Sequence, residues 1–377
     1  MSVTQTRRLN AVCYLSMAAL GMYISAYQYA LADITERFSL YAWASGLLIS
    51  CHFAASFFMP PLVGELSDRI GRKPVLIGLF ALMLGGILCV ASTRSVAFIA
   101  LGAIVTGGAS CTIESSMSSL LAQENPDNES RVMNLSQMFF CGGACFSPLY
   151  GALLSHIGLD WRAIYVTVAA LVVVCAVITA CSVLPKARPR VKGLYLGRVL
   201  KRPFYLLMFA AMLLYVGIEE SAAFWTGTFA ADVNINASWL LALYWLGMAL
   251  GRLGAAYLKR HVGKLTLVGL AISALCFGAT LFVKTPLLLM ACFFLAGLTL
   301  APTWPQIMVH AAKVGADVPD TAAGGMLAAG AAGGMSIPLL LAFTKTAVGM
   351  RAAFGVLAGL VCLEALLLAS SKRFRQS

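Results

Sequence analysis

The chain alternates long apolar runs with short polar segments over almost its whole length. A helix needs about 20 apolar residues to cross the hydrocarbon of a bilayer, and the sequence offers about twelve such runs. The predicted spans are residues 10–32, 41–63, 75–93, 95–122, 132–157, 162–184, 204–231, 237–257, 265–283, 286–312, 321–348 and 351–371. The pattern therefore predicts an all-α integral membrane protein with twelve transmembrane helices.

The first run follows Arg7 and Arg8, an arrangement that also occurs in signal peptides. It is too long for the apolar region of a signal peptide, and it lacks an obvious small-residue cleavage site. We therefore expect it to be a retained transmembrane helix.

Composition agrees with this pattern, because 60% of the residues are hydrophobic and only 11% are charged. The net charge of +12 would suit a nucleic-acid partner, but its distribution indicates a lipid bilayer instead. On one side of the predicted spans lie 21 of the 27 Lys and Arg residues. The positive-inside rule then predicts a multi-pass protein of the cell inner membrane with both termini in the cytoplasm.

A basic, proline- and glycine-containing stretch at residues 185–203 divides the spans into two sets of six. It carries seven Lys and Arg residues and no acid, so we expect a cytoplasmic linker between an N-terminal half, 1–184, and a C-terminal half, 204–377. Two six-helix halves are typical of alternating-access carriers, whose substrate sites lie near the membrane midplane.

Several kinds of chemistry have no support in the sequence. It contains no phosphate-binding GxxxxGK[ST] segment, catalytic triad or haem motif, and its eleven cysteines show no metal-site spacing. We therefore expect no enzyme activity, no metal and no cofactor. The predicted partners are a small-molecule substrate and a coupling cation, acting on a monomer.

Acidic residues inside the apolar spans are the strongest functional signal. A charge at the centre of a transmembrane helix costs on the order of 2.5–3.5 kcal/mol on insertion scales, yet Glu114, Glu219 and Glu220 all occupy such positions. These acids can carry a transported proton, or they can pair structurally with an internal cation such as Arg252. Because Glu219 and Glu220 are adjacent, their side chains point about 100° apart, and we expect only one of them, Glu219, to face a central cavity.

Other polar and aromatic residues recur at helical spacing in the predicted spans. Hydroxyl and amide groups both donate and accept hydrogen bonds, which suits a polyhydroxylated solute, and aromatic rings can stack against a sugar or lie at the membrane interface. The candidates are His52, Asn134, Gln137, Thr303 and Gln306, with the rings of Tyr27 and Trp225.

The turn after the second span has the pattern Gly64-x-Leu-x-Asp68-Arg69-x-Gly71-Arg72-Lys. It resembles the signature loop between the second and third helices of the major facilitator superfamily. The resemblance implies the major facilitator fold and a cytoplasmic latch at Asp68, Arg69 and Arg72. A degenerate second copy follows the eighth span, and we group Arg252 at the end of that span with the gating residues.

Four further segments resemble the fucose/glucose permease group of sugar:cation symporters. They are residues 107–114, 215–219, 247–252 and 297–305. An acid that some members of the group carry late in the first helix is matched here by Gln28. The resemblance implies proton-coupled symport of a small polar solute, with a sugar as the expected substrate in view of the group's substrates. The alternative is a proton-driven exporter of drugs or metabolites, because residues 143–151 partly resemble the glycine-proline motif of antiporters.

Overall fold

A computed structural model describes residues 3–185, 196–258, 262–315 and 319–375, and all regular structure in these residues is helical. We number twelve long helical segments, counting a helix with a break as one. They are α1 (Val3–Arg37), α2 (Ala42–Ala54, continued by Ala55–Phe57 and Met59–Ile70), α3 (Arg72–Ser92), α4 (Val96–Glu124), α5 (Glu129–His156), α6 (Arg162–Cys181), α7 (Pro203–Phe224, continued by Thr226–Asp232), α8 (Ala237–Ala255), α9 (Val262–Ala279), α10 (Pro286–Leu300, continued by Thr303–Val314), α11 (Pro319–Val348) and α12 (Met350–Ala369).

Ten of these helices are long and apolar enough to cross a membrane, among the residues that the structure describes. The other two are α2, which is interrupted and contains a shorter apolar stretch, and α8, which has 19 residues. The all-α membrane fold is therefore confirmed, whereas the exact number of twelve spans stays a prediction.

Proline accounts for two of the helix breaks. Pro60 lies just after the irregular turn of α2, and Pro302 lies between the two segments of α10. Proline lacks the amide hydrogen of a helical hydrogen bond, and its ring collides with the preceding turn. Such breaks are tolerated in a membrane where the freed carbonyls are buried in protein or face a water-filled cavity.

Within each half, glycine lets neighbouring helices come into backbone contact. An added Cβ at Gly107 on α4 would overlap the carbonyl oxygen of His52 on α2. In the C-terminal half, an added Cβ at Gly333 on α11 would overlap the carbonyl oxygen of Leu213 on α7. Small residues of this kind drive helix packing where lipid removes the hydrophobic difference between inside and outside.

Helices α1–α6 and α7–α12 form two halves that meet along two main contacts, α5 with α8 and α2 with α11. The first segment of α2 packs along α11, where the Ser50 hydroxyl donates to the Met335 carbonyl at 2.6 Å. The second segment, Met59–Ile70, packs mainly against α3 and α4. The central polar site lies between the two contacts.

The candidate transport site

A cavity of about 110 Å³ lies between the halves. In the described part of the chain, α1, α2, α4 and α5 contribute one side of its wall, and α7, α8, α10 and α11 contribute the other. The wall consists of Leu20, Ile24, His52, Phe53, Ser56, Ser110, Cys111, Glu114, Gln137, Phe140, Met212, Val216, Glu219, Glu220, Arg252, Trp304, Met326, Leu327, Gly330 and Ala331.

A buried ion pair occupies one side of this cavity. The Nη2 atom of Arg252 on α8 lies 2.8 Å from Oε1 of Glu219 on α7, and the Arg252 side chain is 2% exposed. Tyr215 lies one helical turn before Glu219, and its hydroxyl accepts a second bond from Nη2 at 3.2 Å. Removing one partner of such a pair leaves an uncompensated buried charge and typically costs about 3–5 kcal/mol.

The ion pair continues into the N-terminal half through Gln137 on α5. A terminal nitrogen of Arg252 donates to Oε1 of Gln137, and Nε2 of Gln137 donates to Oε1 of Glu114 on α4 at 2.7 Å. Because the guanidinium has donors only, the carbonyl oxygen of Gln137 must face it. The chain Glu114–Gln137–Arg252–Glu219 therefore connects both halves across the cavity.

Glu220 occupies a different environment from its neighbour Glu219. Its Oε2 accepts a hydrogen bond from Nε2 of Gln28 on α1 at 3.0 Å, and Oε1 of Gln28 accepts from Nε1 of Trp245 on α8 at 2.9 Å. Both glutamates line the cavity. The expectation that only one of them faces the cavity was wrong. The cavity extends from α8 towards α1, so the Glu219 side chain borders it near α8 and the Glu220 side chain borders it near α1.

His52 also lines the cavity, as the polar pattern of the second span suggested. Its Nδ1 lies 3.3 Å from the hydroxyl of Tyr23, and that hydroxyl shares a short hydrogen bond with Thr106. The histidine is thus fixed by α1 and α4 while its ring borders the cavity.

The two aromatic candidates lie outside the cavity wall, and each is held by a backbone carbonyl. The hydroxyl of Tyr27 donates to Leu48 at 2.9 Å, and the indole nitrogen of Trp225 donates to Pro338 at 3.1 Å. Both side chains are almost completely buried, so in this conformation they connect helices rather than face the cavity.

Three further candidates also lie outside the cavity wall. Asn134 donates to the carbonyl of Ser130 on its own helix at 2.8 Å. The hydroxyl of Thr303 is buried and has no hydrogen-bond partner in the described residues, and Gln306 is half-buried one turn further along α10. The wall residue of this part of α10 is Trp304 instead.

The predicted latch is only partly within the described residues. The surroundings of the Gly64 position and the side chains of Asp68 and Arg69 lie outside the part of the chain that the structure describes. Gly71 has φ 95°, a backbone conformation that favours glycine, and Nη1 of Arg72 donates to Oε1 of Gln123 on α4 at 2.8 Å. Arg252, which we had grouped with these residues, lies in the cavity wall.

Sequence reasoning did not single out several small and apolar wall residues. Cys111, Met212, Met326 and Leu327 line the cavity, but nothing distinguishes them in the sequence from the many similar residues that face lipid.

The structure also assigns no metal ligands: in the described ranges no group of three or more His, Cys, Asp or Glu residues is placed to bind an ion.

A helical bundle with a polar cavity between two six-helix halves is the architecture of a membrane transporter. A family model described as Major Facilitator Superfamily matches residues 12–267. The chain belongs to this superfamily, and the family predicted from the turn at residues 64–73 is confirmed.

Among curated proteins, the chain is 24% identical over 165 residues to Citrate exporter 1 of Aspergillus niger, covering 43% of this chain and 31% of the exporter. It therefore spans less than a third of that relative's length. It is also 24% identical over 274 residues to the multidrug resistance protein MdtH of Aeromonas hydrophila, covering 68% and 67% of the two chains.

Two solved structures share the fold over nearly their full length. The human organic anion transporter MFSD10 gives a TM-score of 0.75 at 17% identity, covering 96% of this chain and 99% of that one. The fucose:proton symporter FucP of E. coli gives 0.70 at 16% identity, covering 100% and 99%. At these identities the similarity concerns the fold alone.

Proposed function

We propose that this transporter carries a small polar solute, of which a sugar is our first candidate, together with a proton by alternating access. The observation that carries the proposal is the chain Glu114–Gln137–Arg252–Glu219, which lines the cavity and connects the two halves. In this position the polar side chains of the network can hydrogen-bond a solute in the cavity, and its carboxyl groups can bind a proton.

The polar part of the wall suits a solute with several hydroxyl groups. Ser56, Ser110 and His52 lie on the N-terminal side of the cavity, opposite Arg252 and Glu219 on the C-terminal side. Hydroxyl, imidazole and charged groups together offer both donors and acceptors. Trp304 and Phe140 supply aromatic rings in the same wall, against which the apolar face of a sugar ring can stack.

The acids of the cavity wall support proton coupling. Glu114, Glu219 and Glu220 line the cavity together with Arg252, so uptake of a proton by one of these carboxyls removes one of the negative charges around the guanidinium that connects the two halves. A ligand shifts a conformational equilibrium only through its different affinity for the two states. A proton that weakens the connection between the halves in one state meets this requirement.

We further propose an inner-membrane protein that acts as a monomer with both termini in the cytoplasm. Its halves would be residues 1–184 and 204–377, joined by the basic linker 185–203. The turn containing Gly64, Asp68, Arg69, Gly71 and Arg72 would serve as a latch on the cytoplasmic side.

The test uses purified protein in proteoliposomes with an imposed pH gradient. A panel of sugars and polyols is added, and proton movement is followed with a pH-sensitive dye. Symport predicts solute-dependent alkalinisation of the compartment to which the solute is added. If no member of a broad panel moves protons while the protein is folded and correctly inserted, the sugar proposal is wrong.

A second candidate is proton-driven export of drugs or metabolites. The apolar part of the wall favours it, because Met212, Met326, Phe53 and Leu327 form an adaptable hydrophobic surface. The named functions of the citrate exporter and of MdtH are consistent with export. The two candidates differ in sign: exchange acidifies the compartment to which the solute is added, and symport alkalinises it.

A further inference from the structure

Two hydrogen-bond chains of the same design start from α8. In the first, Arg252 donates to the side-chain carbonyl of Gln137, whose amide nitrogen donates to Glu114. In the second, seven residues earlier on α8, Trp245 donates to the side-chain carbonyl of Gln28, whose amide nitrogen donates to Glu220. Gln28 belongs to the N-terminal half, whereas Trp245 and Glu220 belong to the C-terminal half.

The orientation of the Gln28 amide is fixed by chemistry. The indole N–H is a donor and cannot accept, so the carbonyl oxygen of Gln28 must face Trp245. The amide nitrogen is then left to face Glu220, where it can only donate. A carboxylate accepts this bond well, and loss of the donor leaves its charge without that stabilisation.

Glu220 differs from Glu219 in having no cation of its own. Glu219 is paired with Arg252 at 2.8 Å, whereas no Lys or Arg of the described ranges forms an ion pair with Glu220, which is 8% exposed and lines the cavity. The titratable groups that act on Glu220 electrostatically are Glu219 on its own helix, Glu114 on α4, Cys141 on α5 and Tyr244 and Arg252 on α8.

We propose that Glu220 is the group that binds the transported proton, and that Gln28 and Trp245 are positioning residues that set its proton affinity. This inference rests on the proton coupling proposed above. One O–H bond forms at the Glu220 carboxyl when the proton is taken up, and the same bond breaks when it is released. Because Gln28 lies on the opposite half, separation of the halves at this level withdraws its N–H and strengthens proton binding.

The test is an infrared pH titration of the full-length protein in lipid, which needs only protons as the ligand. The carbonyl band of a protonated carboxyl group reports its ionisation. Glu220→Gln should remove one titrating component of this band. Trp245→Phe keeps an aromatic ring but frees the Gln28 amide to rotate, so the midpoint of that component should move to higher pH by about one unit, a tenfold change in proton affinity.

Trp239→Phe is the matched control, because Trp239 lies on the same helix with its side chain 54% exposed, and the midpoint should stay in place. Gln28→Leu removes the donor directly and should move the midpoint in the same direction as Trp245→Phe, which keeps the test available if either variant folds poorly. The double variant Trp245→Phe/Glu220→Gln should match Glu220→Gln alone.

An unchanged band in Glu220→Gln overturns the assignment of the proton. An unmoved midpoint in both Trp245→Phe and Gln28→Leu overturns the positioning role. Failure of the proposed function looks different: the carboxyl titrates as described, but no solute in the proteoliposome panel moves protons.

Discussion

The two halves meet at two contacts that differ in kind. Between α5 and α8 the contact includes the buried polar chain from Gln137 to Arg252. Between α2 and α11 it depends on small residues and backbone atoms: a Cβ at Gly46 would lie 2.8 Å from the Cβ of Ala342, and Ser50 donates to the Met335 carbonyl. The first contact depends on charge, whereas the second depends on volume.

This difference suggests that the two contacts have different roles in transport. In the proposed transport cycle, uptake of a proton by a cavity carboxyl would change the charge at the α5–α8 contact, so this contact would respond to ligands. The α2–α11 contact holds no ionisable side chain in the residues named above, and its fit changes only when the helices move. We therefore expect the two contacts to respond differently to mutation.

The largest effect is expected at the charged contact, in Arg252→Met. This change leaves Glu219 buried without its cation, so the free energy of unfolding should fall by about 3–5 kcal/mol and uptake should fall to background. Thermal unfolding in detergent and proteoliposome uptake measure the two effects. In the double variant Arg252→Met/Glu219→Met, stability should largely return while uptake stays at background, since replacing both partners removes the unpaired charge.

An Arg252→Met protein with wild-type stability would show that the ion pair is not formed in the membrane. The difference between the two contacts would then disappear.

At the volume-dependent contact, Gly46→Leu should lower uptake about tenfold, at a cost in stability of about 1–3 kcal/mol for overpacking. The reason is the short approach of α2 to Ala342 and Leu339 on α11. Gly324→Leu on α11 is the control, because nothing lies within 4 Å of a Cβ at that position. Equal losses in the two variants would argue against a specific role of the α2–α11 contact.

A smaller effect on transport is expected at the cytoplasmic end of α2, in the proposed latch. If Asp68 forms an ion pair in the proposed latch, Asp68→Asn should lower turnover about fivefold, because such a pair is worth about 1 kcal/mol at a membrane–water boundary. Solute binding, measured by a thermal-shift titration, should stay largely intact because the turn lies away from the cavity wall. Unimpaired transport would exclude the latch role.

Much of the fold and part of the site could be predicted from the sequence. The apolar runs predicted the helices because lipid requires long uninterrupted stretches of apolar side chains. Glu114, Glu219, Gln137 and His52 were found because a polar residue in such a stretch stands out, and all four line the cavity.

The remainder depends on contacts between distant parts of the chain. The pairing of Gln28 with Glu220 joins residues 192 positions apart, and that with Trp245 joins residues 217 positions apart. No local pattern encodes such pairs. Thr303 was predicted to line the pathway, but Trp304 lines the cavity instead. The helix break next to Pro302 determines which side chain of α10 turns towards the cavity, and the sequence pattern does not specify that direction.

The smallest effect is expected at Glu364 on α12, an acid outside both contacts. It is fully buried, and neither carboxyl oxygen has a hydrogen-bond partner among the described residues. Glu364→Leu removes this unsatisfied polar group, so the free energy of unfolding should rise by about 1 kcal/mol, with uptake unchanged within about twofold. Glu364→Gln keeps a buried polar group and should give no gain in stability. Loss of uptake in both variants would instead make Glu364 a third functional acid in the C-terminal half, and transport would then not depend on the cavity carboxyls alone.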